Sequence, residues 1–218
     1  MAIVLPEGAA VSRRTAAWLH GVDARMPGEH HLPVRLECTV PTGVEPVSRL
    51  GMKCYAAPLD DSDVTEVCGA PCTTPRRTAL DLLRWLPPHM GLGAADALAH
   101  LGLVTTDELR QEVERWPGMP GIAKARSLAG LVEPLTESFG ESWLRLRVVD
   151  AGFPVPRAQI ELCDAEGYVR FRLDMGWDEV RIALEYAGGS TTPPPNSKRM
   201  TRHVGPGSRP ITAGRSTA

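Results

Sequence analysis

Residues 138–187, SFGESWLRLRVVDAGFPVPRAQIELCDAEGYVRFRLDMGWDEVRIALEYA, decide how this chain is read, because their periodicity changes partway along. Ser138-x-x-Glu141 is a capping box that opens a helix, and Gly152 and Pro154 close it. Three strand-like stretches follow, at 158–163, 168–177 and 180–186. Asp164-Ala165-Glu166-Gly167 turns between the first two, and a two-residue turn at Asp178-Glu179 joins the last two. That shorter turn pairs Trp177 with Val180, sets Asp174 opposite Ala183 and places Glu185 on the diagonal of the same face. Phe171, Leu173 and Met175 alternate with Arg170, Arg172 and Asp174, and Ile182, Leu184 and Tyr186 with Arg181, Ala183 and Glu185. One sheet face is therefore apolar, and the other carries two acids among three arginines.

The polar face admits two readings. Diagonal neighbours lie roughly 7 Å apart at Cα, so Asp174 and Glu185 can converge on one cation. A hard ion such as Mg²⁺ accepts one or two carboxylates with water and substrate phosphate, and arginines pin phosphates bidentately. The other reading is an exposed face of ordinary cross-strand ion pairs. Glu141 is accounted for by its cap alone.

Working outward, 218 residues, 43% of them apolar, can bury a real core in one large or two small domains. No apolar run reaches about 18 residues, so no membrane span is expected, and the N-terminus does not read as a secretory signal. Five scattered cysteines (Cys38, Cys54, Cys68, Cys72 and Cys163) fit reduced thiols in a cytoplasm. Cys68 and Cys72, with the adjacent His30 and His31, lack the second close ligand pair of a zinc site. The net charge of −2 argues against strong, non-specific nucleic-acid binding by the whole chain. Arg13-Arg14 and Arg76-Arg77 read as solvated helix starts.

Residues 12–20 read as a short helix with Ser12 at the N-cap and Gly21 as its stop. Strands are expected at 34–40, ended by Pro41, and at 52–57. Thr74-Pro75 opens a helix with Ala79, Leu82, Leu83 and Leu86 on one face, stopped by Pro87-Pro88. Further helices follow at 91–101, at 105–116 behind a Thr105–Glu108 capping box, and at 121–132. Beyond Gly188 the chain is rich in Pro, Gly, Ser, Thr and Arg, which predicts disorder over 188–218.

The quoted stretch resembles an actinobacterial group of uncharacterised proteins whose C-terminal domain is similar to the very-short-patch-repair branch of the PD-(D/E)XK nucleases. That pattern has a glutamate opening a helix, a glutamine before a strand, an aspartate in R-x-D-h-x-W and a closing E-Y-D-G. Glu141, Gln159, Asp174 and Glu185 match it. The resemblance implies catalytic roles for these four, with Asp174 and Glu185 as ligands of Mg²⁺. Upstream, VSRRTAAWLHGVD, VPTG and VCGAPCTTPRRTALDLLRWLP resemble the abortive-infection antitoxin family of AbiEi type, from type IV toxin–antitoxin systems. Those proteins often begin with a winged helix-turn-helix, and no such element precedes Val11.

Two departures bear on activity. Ala187 stands where the nuclease pattern has its third acid, and the paired histidines, acidic-basic helix and last strand that continue the pattern are absent. A frame change near Ala187–Gly189 would account for the loss, since suitable codons for Gly189 to Thr192 spell Glu-His-His in a shifted frame.

The expected protein is α+β: an antitoxin-like region over 1–135 with a small sheet and a helical middle, an incomplete restriction-endonuclease-like helix and three-stranded sheet over 136–187, and the tail. The expected function is a metal-dependent nuclease-like protein weakened by its missing part. The alternative is a non-enzymatic antitoxin-like regulator that binds a cognate toxin or nucleic acid. The sequence leaves oligomeric state open.

Overall fold

A computed structural model describes residues 5–25, 28–32 and 35–187. The expectations of a disordered, frame-shifted tail fall on 188–218, outside the described residues. The architecture is α+β. Five short strands, β1 (Ala10–Val11), β2 (Leu36–Pro41), β3 (Met52–Ala57), β4 (Val64–Val67) and β5 (Ala70–Thr73), form one sheet in the order β3-β2-β1-β5-β4. β2 and β3 were legible as strands, but they pair in parallel, with Cys38 beside Cys54. The two-residue β1 is central, antiparallel to β2 and parallel to β5. Pro41 belongs to β2 instead of ending it before that residue.

Helix α1 (Arg13–Leu19) lies against this sheet. Ser12 does not cap it through its side chain, because its Oγ accepts a hydrogen bond from the Thr39 hydroxyl at 2.8 Å. Helix α2 (Pro75–Trp85) begins as expected, with the Thr74 hydroxyl accepting from the Arg77 amide and Pro75 in the first turn. Helix α3 (Pro88–His100) starts three residues earlier than expected, since Pro88 fits the first helical position as well as it stops α2. Helices α4 (Thr106–Arg115) and α5 (Ile122–Ala129) complete a bundle around α2. Leu80, Leu82, Leu83, Leu92, Leu98 and Leu109 are fully or almost fully buried there. Each such side chain contributes about 1.5–3 kcal/mol relative to exposure.

The α4 capping box is complete in both directions, with Glu108 accepting from the Thr105 amide at 2.7 Å and the Thr105 hydroxyl accepting from the Glu108 amide at 3.2 Å. The backbone hydrogen bond from Thr105, then its hydroxyl, holds the exposed Glu108 carboxyl below its ordinary value. A depressed carboxyl contributes stability above its unfolded pKa of about 4.3, and that contribution disappears as pH falls through the folded value. Glu108→Gln is therefore expected to flatten the acid limb of a melting-temperature profile slightly. An unchanged acid limb would contradict this.

The pair Arg76-Arg77 is not the solvated start that its sequence predicts. Arg77 is 0% exposed and bonds to Asp63 at 2.8 Å, Asp81 at 3.1 Å and the Pro58 carbonyl at 2.7 Å. Half-exposed Arg76 pairs with the buried Glu112 at 2.8 Å. Arg115 then joins Glu112, Asp63 and Asp60, so a charged seam ties the turn that leads into β4 to α2 and α4.

Helix α6 (Phe139–Asp150) packs on α3. Glycine makes the approach close: a Cβ on Gly93 would run into the Phe139 ring. Asp96 of α3 accepts from Ser142 at 2.6 Å and from Arg145, and both α6 side chains are buried. After α6 come β6 (Arg157–Cys163), β7 (Val169–Trp177) and β8 (Ile182–Leu184), an antiparallel sheet in that order.

Candidate functional site

The β7–β8 turn is not the two-residue Asp178-Glu179 turn that the sequence predicts. Trp177 pairs with Ile182, so the loop is Asp178–Arg181, with Arg181 at φ 52° closing it. The register therefore shifts by two residues, from Val180 to Ile182 opposite Trp177. A shift of two preserves which face each side chain occupies. Asp174 and Glu185 remain on one face, and extending the Met175↔Leu184 pairing by one step sets them directly opposite each other.

The same row continues into β6. Gln159 lies between the pairs Ala158↔Met175 and Ile160↔Leu173, so it stands across from Asp174, with φ 49°. Its Nε2 donates to Glu141 Oε2 at 3.2 Å. Glu141 is buried and also accepts from the Ser138 hydroxyl at 2.7 Å and the Glu137 amide at 3.1 Å. Glu141 and Gln159 are thus in direct contact, Gln159 stands across the ladder from Asp174, and Glu185, one residue past the end of β8, comes beside Asp174 only where the ladder is continued. Glu141 keeps its capping role, its carboxylate shared between the helix start and Gln159.

The chemistry available to this row is bounded by its partners. Asp174 Oδ2 accepts from the Tyr186 amide at 2.7 Å. Arg172 pairs with Glu137 at 2.8 Å, and Arg170 with Asp164 at 2.6 Å. Two of the three arginines on this face therefore hold carboxylates instead of standing free for phosphate. Among the described residues, no group of three or more His, Cys, Asp or Glu side chains could hold a metal ion. Cys38 and Cys72 add no nucleophile, because burial pushes both thiols up to about 12. All five cysteines are free, and all but Cys68 are buried.

Tyr186 fastens the end of this sheet to α6. A Cβ on Gly140 would fall inside its ring, and Trp143 meets it edge-on with centroids 6.3 Å apart. Gly140→Ala is expected to expel the ring and release the Tyr186 amide from Asp174. Amide exchange at Tyr186 should then speed up while α2 stays protected; unchanged exchange at Tyr186 would refute the latch.

The apolar face of the sheet is covered at one end only. Met175, Ile160 and Ala158 are buried, whereas Val169, Phe171 and Ile182 are exposed. No helix among the described residues is long and apolar enough to cross a membrane.

Sequence reasoning missed the charged seam and the Asp96–Arg145 pair. A signal for the first was present: Arg77, Asp81 and Arg84 recur at helical spacing beside the leucine stripe of α2, so they share its buried side.

Comparison with known proteins places the upstream body. The chain is 30% identical over 175 residues to Uncharacterized protein Rv2248 of Mycobacterium tuberculosis strain H37Rv, and equally to Uncharacterized protein MT2308 of strain CDC 1551. Each alignment covers 79% of this chain and 60% of the relative, so the chain spans less than two thirds of the length of these proteins. Residues 9–131, which run from β1 through α5 and stop before α6, match the AbiEi antitoxin C-terminal domain. The chain therefore belongs to the AbiEi antitoxin C-terminal domain family.

Proposed function

We propose that this protein is a non-enzymatic, antitoxin-like regulator of a type IV toxin–antitoxin system, acting in the cytoplasm on a cognate toxin protein. The observation that carries this reading is the family match over residues 9–131. Those residues supply most of a packed leucine core, to which Leu146 of α6 adds, and the seam of charges between sheet and helices. Such a body offers a rigid surface to a partner without further ordering. The test is co-expression with a nucleotidyltransferase-like toxin encoded beside the gene. Growth restored by the full chain supports the reading, and toxicity undiminished by well-expressed protein rejects it.

The row Glu141, Gln159, Asp174 and Glu185 favours a second reading, a metal-dependent nuclease-like site acting on nucleic-acid phosphodiesters. A carboxylate on β7 and a second just past the end of β8 suit a hard cation such as Mg²⁺, which would supply an activated water and neutralise phosphate charge. Asp174 and Glu185 would hold it, with Gln159 and Glu141 orienting that shell. The fit is partial, since Ala187 stands where a third acid would serve and Tyr186 already engages Asp174. Cleavage is expected to be weak or nil. A Mg²⁺-dependent nicking activity abolished by Asp174→Ala would establish this reading and overturn the non-enzymatic one.

A further inference from the structure

Arg13 combines an unusual backbone with a guanidinium stacked on two aromatic rings. Its backbone has φ 53°, in the left-handed region that residues with a Cβ seldom adopt. Its guanidinium lies 3.3 Å from the centroid of the Tyr55 ring and 4.8 Å from that of Trp85. The neighbouring Arg14 pairs with Glu29 and Glu37. The Arg13 side chain makes no hydrogen bond or ion pair with any described residue. Stacking occupies the faces of a guanidinium and leaves its N–H donors, which point outward in the plane, unspent. A backbone strain kept for a side chain with unused donors points to a ligand for that side chain.

The surroundings define the ligand. Lys53 Nζ lies 5.8 Å from the same Tyr55 ring and adds a second cation. Trp85 keeps 46% of its surface exposed. An oxyanion in the plane of the fork would be bound bidentately, and the exposed indole offers a flat surface beside it. A carboxylate would use only the first of these features, whereas a nucleotide uses both. We propose that Arg13, Lys53, Tyr55 and Trp85 form a site for the phosphate of a nucleotide unit, with Trp85 stacking against its base. The unit comes from a free nucleotide or from a nucleic-acid strand. The site goes beyond the antitoxin reading and does not depend on it.

The test uses the full chain with three probes: a fluorescently labelled single-stranded oligodeoxynucleotide, adenosine monophosphate and a polyglutamate peptide. Variants are Arg13→Asn, Arg13→Lys and Lys53→Gln. Asparagine tolerates the left-handed backbone, so the fold should persist, as circular dichroism will show. The expected result is binding of a phosphate probe that weakens by about tenfold or more in both Arg13 variants, because an ammonium cannot reproduce the planar fork. Lys53→Gln should weaken it less and lower its salt dependence. Binding of the oligonucleotide alone identifies a strand as the ligand, and binding of the mononucleotide identifies a free nucleotide. The proposal is overturned if neither phosphate probe binds, if polyglutamate displaces them, or if folded Arg13→Asn binds as wild type does. Should Arg13→Asn fail to fold, undiminished binding by Lys53→Gln overturns it. Toxin neutralisation by Arg13→Asn is expected to be intact, which separates this site from the antitoxin reading.

Discussion

Arg77→Met is expected to lower the unfolding free energy by about 3–5 kcal/mol, the typical cost of removing one partner from a buried ion pair. Arg77 sits at the junction of α2, the turn carrying Asp63 and the loop at Pro58. Methionine replaces the volume of its stem but none of its donors. Asp81 would retain Arg84 at 2.9 Å, and Asp63 would retain Arg115 at 3.1 Å. The Pro58 carbonyl would lose its donor, and two buried carboxylates would face each other without the cation between them. Against a total stability of about 5–15 kcal/mol, this loss brings the protein close to unfolding at ambient temperature. Urea denaturation measures it. A midpoint shift equivalent to less than about 1 kcal/mol would show that the seam is solvated in solution and contributes little.

Arg145→Met should have a comparable cost with a different distribution. Arg145 and Asp96 are each about 1% exposed, and their pairing joins α6 to α3 across the end of the family-matched body. Without Arg145, Asp96 keeps only the Ser142 hydroxyl and the Glu133 amide. A loss of about 3–5 kcal/mol is expected at neutral pH, because a buried charge is left without its counterion. The loss should fall on the attachment of α6 and its sheet, so hydrogen exchange should accelerate there while α2 to α5 remain protected. Exchange rising equally everywhere would contradict that localisation.

The pH dependence of this variant follows from Asp96. Burial already pushes its carboxyl above the ordinary range, with Arg145 opposing the shift. Removing Arg145 removes that opposition, so the folded variant binds a proton that the unfolded chain, with a pKa of about 3.9, does not. Stability then falls as pH rises through this window, and the penalty shrinks on acidification toward pH 4. A penalty that grows on acidification would assign the effect to another group.

Much of the C-terminal unit was legible because its signals are local. The Ser138 cap and the Gly152 and Pro154 stop depend on residues close in sequence and appear in the structure at their expected places, whereas burial along β7 rises toward one end instead of alternating. Face parity was legible for the same reason. Side chains alternate with period two, so Asp174 and Glu185 share a face whether the turn has two residues or four. The turn length itself was not legible, because Asp178-Glu179 fits the shorter loop as well as the longer one.

The chain's local order thus sets its α+β class, the positions of its helices and the side of the sheet on which its acids stand. Only tertiary packing sets which elements meet: the parallel pairing of β2 and β3, the insertion of β1 between β2 and β5, and the burial of Arg77 and Arg145. The physical reason is separation along the chain. Arg77 finds Asp63 across 14 residues, Arg115 finds it across 52, and Arg145 finds Asp96 across 49. Charge, spacing and propensity describe a residue's neighbours, but burial of a charge depends on a partner brought from elsewhere. An arginine at a helix start looks the same in sequence whether water or a distant carboxylate receives it.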